Sequence, residues 1–327
     1  MLRTFAAAAA GLVLSTSAMA ADFSPAIIFD MGGKFDKSFN EAAFRGVEKF
    51  KEESGVDYLE FEITNESQRE QALRRMIRKG ANMVVVVGFG FATPLEAVAA
   101  EETDTKFTII DMVVDQPNVQ SVTFKEHEGS FLVGMAAALA SQTGKVGFVG
   151  GMDIPLIRNF AHGYEQGVKH ANADGEVIVN MTGTTPAAWN DPARGGELAI
   201  SQFDRGADVV YAAAGSTGLG VLQAAADQGK LSIGVDSNQN HLHPGSVLTS
   251  MLKRVDVAVY NALKSAMDGS WQAGAQSLGL AEDGVGYSID ENNRDLITAD
   301  MEAKLEEAKA SIIAGDIVVE DYYSTQQ

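Results

Sequence analysis

The chain repeats one order of strands and helices about 125 positions apart, and this repeat restricts the folds that it can adopt. Short runs rich in β-branched residues alternate with amphipathic helical segments, a pattern typical of a parallel sheet covered by helices. The segment at residues 80–88 has a counterpart at 206–215, and the strand that closes at Asp111 matches one that closes at Asp236. We therefore predict two copies of one α/β lobe.

The repeat also predicts where a ligand binds. In open α/β sheets, ligands occupy the crevice beyond the carboxyl ends of the strands. Glycine-rich turns at such ends let main-chain atoms approach a ligand, and the helix that follows points N–H groups at it. If the two lobes face each other, the strand-end positions line one cleft. These positions are Asp30, 32–33, 88–91, Asp111, 150–151, 215–218 and Asp236.

The N-terminus has the features of an export signal. Arg3, an apolar run at residues 5–14 and the small residues around Met19 predict a signal peptide over residues 1–20. The run is too short to span a bilayer, which takes about 20 residues. The chain contains no cysteine, so we expect neither a disulfide nor a lipid anchor on an N-terminal cysteine. These features predict a freely diffusing periplasmic protein, and the length that remains suits two domains.

Composition and motifs argue against several classes of function. The formal net charge of −19 disfavours nucleic acid and anionic membranes as partners, because both attract basic surfaces. The chain has no G-x-S-x-G elbow, phosphate loop, G-x-G-x-x-G fingerprint or H-E-x-x-H helix. His241 and His243 have no further metal ligands near them in the sequence, so we expect no metal and no cofactor.

Two aromatic residues lie where core packing does not obviously need them. Phe39 is in the first turn of a predicted helix, and Trp189 is in a polar loop. Packing against a neighbouring element remains an alternative for each ring. Two rings across a cleft would hold a flat ligand, and ionised carboxylates beside them would accept hydrogen bonds from its N–H and O–H groups. Asp236 and Lys253 together could hold vicinal hydroxyls, so a purine nucleoside has the matching features.

Several motifs along the chain resemble those of one known protein family. The segment at residues 30–40, with Asp30, two glycines and D-K-S-F-N, resembles the opening signature of the basic membrane protein family of transporter-linked binding proteins. Characterised members of that family bind purine nucleosides. The resemblance continues in the family's order over nearly the whole mature chain. The matching segments are 128–134, 146–152, 189–193, 234–237 and 249–256.

The resemblance implies a type I periplasmic binding fold, with two similar doubly wound parallel-sheet lobes joined by a three-segment hinge. By analogy, the chain crosses between the lobes near residues 122–126, near 237 and near 283. The implied lobe one is therefore residues 21–124 with 238–283. The implied lobe two is residues 125–237 with 284–327.

The resemblance also implies roles for individual residues. Phe39 would stack on the base, with Trp189 opposite it where the family usually has phenylalanine. Asp30 and Asp111 match the positions implied to meet the base edge. Asp236 and Lys253 match those implied for the ribose. Further candidate contacts are Asn40, the main chain at Gly215, Met31, Gly88 and Phe160; Met31 departs from the small or polar residue often found there.

Together these observations predict a monomeric, non-enzymatic protein that delivers adenosine, guanosine or inosine to an ABC transporter permease. Hinge closure around the ligand would be the mechanism. Two alternatives remain open. The same fold could bind a nucleobase, a sugar or another small polar solute, or the aspartate cluster could serve a nucleoside-cleaving hydrolase.

Overall fold

Two six-stranded sheets with helices on their faces make up the structure, a computed structural model that describes residues 23–326. The strands of lobe one are β1 (Pro25–Phe29), β2 (Leu59–Glu62), β3 (Met83–Val87), β4 (Lys106–Ile110), β5 (Val119–Phe124) and β11 (Gly274–Leu278). The strands of lobe two are β6 (Lys145–Met152), β7 (Glu176–Gly183), β8 (Val209–Ala213), β9 (Leu231–Asp236), β10 (Val247–Lys253) and β12 (Val285–Tyr287). The predicted signal peptide, residues 1–20, lies outside the described residues.

An α-helix lies in most connections between successive strands, except those from β4 to β5, β9 to β10 and β11 to β12, and the last helix follows β12. The α-helices are α1 (Phe39–Ser54), α2 (Arg69–Arg78), α3 (Ala92–Glu101), α4 (Glu126–Ala140), α5 (Pro155–Ala171), α6 (Pro192–Asp204), α7 (Thr217–Asp227), α8 (Val255–Asp268) and α9 (Ala299–Ala314). No helix within residues 23–326 is long and apolar enough to cross a membrane.

The two sheets have the same topology. Lobe one has the strand order β11-β5-β4-β3-β1-β2, and lobe two has β12-β10-β9-β8-β6-β7. Neighbouring strands are parallel except for β12, which runs antiparallel to β10. The first strand of each lobe lies beside the second and third, which is a doubly wound arrangement with a switch point at that strand. The predicted α/β fold with two parallel-sheet lobes is therefore confirmed.

The central strands are buried on both faces, as their sequences predict. Residues 83–87 form an unbroken apolar run, and every side chain in β3 is buried. Side chains of a strand alternate between the two faces of the sheet. Thus Val84 and Val86 pack in one core with α2 and α3, while Val85 joins a larger core on the other face. That larger core includes residues of both lobes.

One predicted lobe boundary is wrong. Residues 238–253 were expected in lobe one, after a crossing near residue 237. Instead, β10 follows β9 within the second sheet and pairs with it in parallel. The chain passes to lobe one only after Lys253, where α8 packs against α1. The other passages lie between Phe124 and the start of α4, and between Leu278 and Val285.

Candidate functional site

A cavity lies between the lobes at the carboxyl ends of both sheets, with about 630 Å³ of empty space that includes its mouth. All eleven candidate residues from the sequence line it. They are Asp30, Met31, Phe39, Asn40, Gly88, Asp111, Phe160, Trp189, Gly215, Asp236 and Lys253. The remaining lining residues are Gly32, Asp36, Phe89, Leu156, Ile157, Ala213, Ala214 and Val235.

Asp111 and Asp236 hold equivalent positions in the two lobes. Asp111 directly follows β4 and Asp236 ends β9, the corresponding strand of the second sheet. Both have left-handed main-chain conformations, with φ of 72° and 63°. Non-glycine residues rarely adopt this region, and aspartate is among the few that do so readily. The two lobes thus turn the same residue type into the cleft by the same local geometry.

Lys253, the last residue of β10, is the charged centre of the cavity. Its Nζ lies 2.7 Å from Oδ2 of Asp111 and 3.3 Å from Oε1 of Glu126. Three aromatic rings surround the ammonium group, with centroids 5.1 Å away for Phe39 and Phe124 and 5.5 Å for Phe160. The ammonium is almost fully buried, so its charge depends on these partners rather than on water.

The carboxyl groups around Lys253 have perturbed pKa values. Burial raises the pKa of Asp236 to about 6, although Lys253 and Ser38 favour its ionised form. Burial likewise raises the pKa of Glu126 to about 7. For Lys253 itself, burial opposes the charge, but Asp111, Glu126 and Asp236 together hold its pKa above the usual value.

One acceptor in this cluster is left without a protein partner. Oδ2 of Asp111 accepts a hydrogen bond from Lys253 Nζ, but the buried Oδ1 of the same carboxylate accepts none from the described residues. An unpaired buried polar atom costs roughly 1–3 kcal/mol, so Oδ1 is poised to accept a hydrogen bond from a ligand.

Asp30 occupies a different part of the cavity wall. Its Oδ1 accepts two hydrogen bonds from Arg69, at 2.8 Å from Nη2 and 3.2 Å from Nε. Asn40 is fully engaged beside it: its Oδ1 accepts from the Asp30 main-chain N–H, and its Nδ2 donates to the carbonyls of Asp30 and Gly33. These bonds make the Asn40 amide a support of the loop after β1, and its role as a ligand contact stays a prediction.

Trp189 is seated by glycines from neighbouring strand ends. A Cβ atom at Gly151 would lie only 2.2 Å from Cζ3 of the Trp189 ring. Gly215 and Gly32 approach the same residue from the turn after β8 and from the loop after β1. The ring thus rests on main chain of lobe two and faces the cavity at its contact with lobe one.

Hydrogen bonds cross the cleft beside the cavity. Ser216 Oγ donates to the carbonyl of Gly32 at 3.0 Å, and Ser237 Oγ donates to that of Ser38 at 2.8 Å. Ser38 Oγ in turn donates to Oδ2 of Asp236. These bonds join the loop after β1 to strand ends of lobe two, so the lobes are closed on each other here.

Three residues at or behind the cavity were not among the site residues predicted from the sequence. Asp36 is buried, accepts hydrogen bonds from three main-chain N–H groups at the start of α1, and has its pKa raised by burial to about 7. Glu126 begins a helix that is apolar after its polar first turn. Arg69 lies in a helix with several other arginines, and nothing local marks it as the one turned inward.

The sequence as a whole matches a family model described as Bmp, ABC transporter substrate-binding protein PnrA-like, over residues 23–322. The chain belongs to this family. The motif resemblance to basic membrane proteins is thereby confirmed. Basic membrane protein A of Borreliella afzelii is 32% identical over 307 residues, covering 90% of this chain and 91% of the relative. An uncharacterized lipoprotein of Pyrococcus horikoshii is 36% identical over 275 residues, covering 80% of this chain and 68% of the relative.

A solved structure agrees with this assignment. An ABC transporter solute-binding protein of Aeropyrum pernix K1 superposes with a TM-score of 0.84 at 32% identity, covering 92% of this chain and 96% of the other. As a substrate-binding protein of an ABC transport system, the Bmp-family protein works in the periplasm or outside the cell, with a transporter permease as its partner.

Proposed function

We propose that this Bmp-family protein binds a purine nucleoside (adenosine, guanosine or inosine) in the cavity between its lobes. One observation carries the proposal. One cavity combines the rings of Phe39 and Trp189 with a carboxylate oxygen, Asp111 Oδ1, that no described group satisfies. The rings suit the flat face of a base, and the carboxylate suits a hydroxyl donor.

The geometry also suggests how the nucleoside lies. Asp111 was expected at the base edge, but its 2.7 Å contact with Lys253 favours a place at the ribose end. There, Asp111 and Asp236 would accept hydrogen bonds from vicinal hydroxyls, and Lys253 would donate to them. Asp30 would accept hydrogen bonds from the edge of the base, as the sequence predicts. β1 and β4 are separated by β3 in the sheet, so Asp30 and Asp111 follow strands about 10 Å apart.

Closure follows from the distribution of these contacts between the lobes. Phe39 and Asp111 belong to lobe one, whereas Trp189, Asp236 and Lys253 belong to lobe two. A ligand that touches both sets binds the closed arrangement more tightly and shifts the population towards it. The hydrogen bonds across the cleft then add to the stability of the closed state.

A binding experiment tests the proposal. The protein is unfolded, washed and refolded to remove carried-over ligand, and its melting temperature is measured with nucleosides, nucleobases and sugars. A ligand at about 100 times Kd stabilises the folded state by about 2.7 kcal/mol. No shift with any purine nucleoside, together with a shift from a sugar or a free base, would refute the assignment of the ligand.

Tryptophan fluorescence gives an independent readout. The chain has two tryptophans, and Trp271 lies outside the cavity with its Nε1 directed at Thr108. In a Trp271→Phe protein, a stacking purine should therefore change the emission of Trp189. Truncating Trp189 to alanine should weaken nucleoside binding by about 1–3 kcal/mol.

We further propose that the protein does not turn over its ligand and that it acts as a monomer, free in the periplasm. Incubation with inosine or guanosine should release no free base, whereas turnover would establish the hydrolase alternative. Light scattering tests the monomer. The relative in Pyrococcus horikoshii is named a lipoprotein, so the mass and the fractionation of the mature protein test for an anchor.

A further inference from the structure

Arg69 and Asp30 form an ion pair set into the wall of the cavity. The guanidinium gives two hydrogen bonds to one oxygen of the carboxylate, Oδ1. The exposed fraction of the side chain is 9% for Arg69 and 14% for Asp30. The geometry fixes the orientation of the carboxylate, because Oδ1 is engaged and Oδ2 is turned towards Gly88.

Two glycines of one turn make room for this pair. A Cβ atom at Gly88 would lie 2.6 Å from Oδ2 of Asp30, and a Cβ atom at Gly90 would lie 2.5 Å from Cζ of Arg69. Gly88 also has a φ of 110°, which favours glycine on conformational grounds. For Gly90 the constraint is the guanidinium itself. The turn after β3 is therefore shaped around both partners.

Arg69 acts from outside the ligand cavity. Asp30 lines both the ligand cavity and an adjoining side pocket, whereas Arg69 lines only the side pocket, together with Glu66 and Gly90. Arg69 is not among the residues that line the ligand cavity itself. It acts on the ligand only through the charge and orientation of Asp30.

We propose that Arg69 is a positioning residue that keeps Asp30 an ionised acceptor, so that the cavity selects purine nucleosides whose base edge carries an N–H donor. This inference rests on the purine-nucleoside function and adds the residue that sets the base preference. An ionised carboxylate only accepts hydrogen bonds, whereas a protonated one can also donate. Without the arginine, the buried Asp30 takes up a proton more easily and the preference for donors weakens.

The electrostatics agree with the geometry. Burial raises the pKa of Asp30, and Arg69 is the side chain that opposes this most, through its charge and its hydrogen bonds. Glu66 acts in the same direction as burial and is the other charged group that influences Asp30. Removing Arg69 therefore leaves burial and Glu66 favouring the protonated form, with the hydrogen bond from the Met31 main-chain N–H still favouring the ionised one.

The test compares inosine, which carries an N–H on its six-membered ring, with purine riboside, which has the same ring system and sugar but no such donor. Both affinities are measured by calorimetry near pH 8 and near pH 5.5 on refolded protein. The variants are Arg69→Gln, Gly90→Ala, which displaces the guanidinium without removing its charge, and Arg74→Gln. Arg74 is the matched control, because it lies on the same helix and pairs with Glu70 and Glu101.

We expect Arg69→Gln to weaken inosine binding by roughly tenfold or more. Its affinity for purine riboside should stay within about threefold of the wild-type affinity. The loss of preference should be larger near pH 5.5, where purine riboside should gain affinity from a protonated Asp30. Gly90→Ala should lower the ratio of inosine affinity to purine riboside affinity as Arg69→Gln does. Arg74→Gln should leave this ratio unchanged. In an Asp30→Asn background, Arg69→Gln should no longer change the ratio.

Equal losses for the two nucleosides at both pH values would overturn the inference, since Arg69 would then only support the fold, and nucleoside binding would stand. If the wild-type protein binds neither nucleoside, the proposed function fails and this inference fails with it.

Discussion

Replacing Lys253 by methionine should destabilise the protein strongly, because it leaves buried carboxylates without their counter-ion. The side chains of Lys253, Asp111 and Glu126 are 2%, 5% and 2% exposed, so little solvent can compensate. Removing one partner of such a buried pair typically costs about 3–5 kcal/mol. We expect a loss of that size in the free energy of unfolding near pH 8.

The pH dependence of the stability loss distinguishes the loss of the counter-ion from the loss of side-chain packing. Burial already raises the pKa of Asp236 to about 6 and that of Glu126 to about 7, and removing Lys253 must raise both further. The folded state then holds protons that the unfolded chain releases, so the stability of Lys253→Met falls as the pH rises above about 4. The cost of the substitution should therefore shrink from pH 8 to pH 5.

The measurement is urea unfolding followed by fluorescence and by near-ultraviolet circular dichroism, over the range in which both report one transition. Lys264→Met is the matched control, since Lys264 forms an exposed pair with Asp268 on α8 and should contribute less than about 1 kcal/mol. Adding Glu126→Gln to Lys253→Met should recover part of the loss. A cost below about 1 kcal/mol, or one that is constant from pH 5 to pH 8, would refute the reasoning.

Three further substitutions test separate parts of the site. Gly151→Ala should displace the Trp189 ring and weaken inosine binding by about tenfold in calorimetry, while Gly286→Ala, whose Cβ would meet no atom within 4 Å, should have no effect. Ser216→Ala removes a hydrogen bond across the cleft, so ligand dissociation measured by stopped flow should accelerate by about 2–10-fold. Glu126→Gln should flatten the decline of melting temperature as the pH rises from about 4.5 to 7, because burial raises the pKa of Glu126 in the folded state only; an unchanged slope would contradict that assignment.

The sequence located the cavity because one structural rule governs both lobes. Parallel strands place their carboxyl ends at one edge, so residues that end successive strands meet there whatever their separation along the chain. Asp30, Asp111 and Asp236 could therefore be predicted as neighbours of one cavity. Trp189 could be added because a large ring in a polar segment needs a tertiary partner.

Arg69 and Glu126 could not be found in this way. Both lie on helices, where the local pattern predicts which face is buried but not which charged side chain has a buried partner. The sequence did carry one signal for Arg69. Gly88 and Gly90 flank a single residue after β3, and the second glycine has no positive φ to explain it. Its explanation is the guanidinium packed against it, which becomes visible only once α2 is placed beside β3.

The place of β10 in the second sheet decides which lobe supplies Lys253. The repeat relates β4 to β9, and extending it by one strand relates β5 to β10, which occupy the same place in the two sheet orders. Lys253 is thereby a residue of lobe two, at the end of its fifth strand, as Phe124 is in lobe one. Had residues 238–253 belonged to lobe one, the ion pair of Lys253 with Asp111 would lie within a single lobe. In the observed topology it joins the two lobes, so the contact that neutralises Lys253 in the cavity is also one that holds the cleft closed.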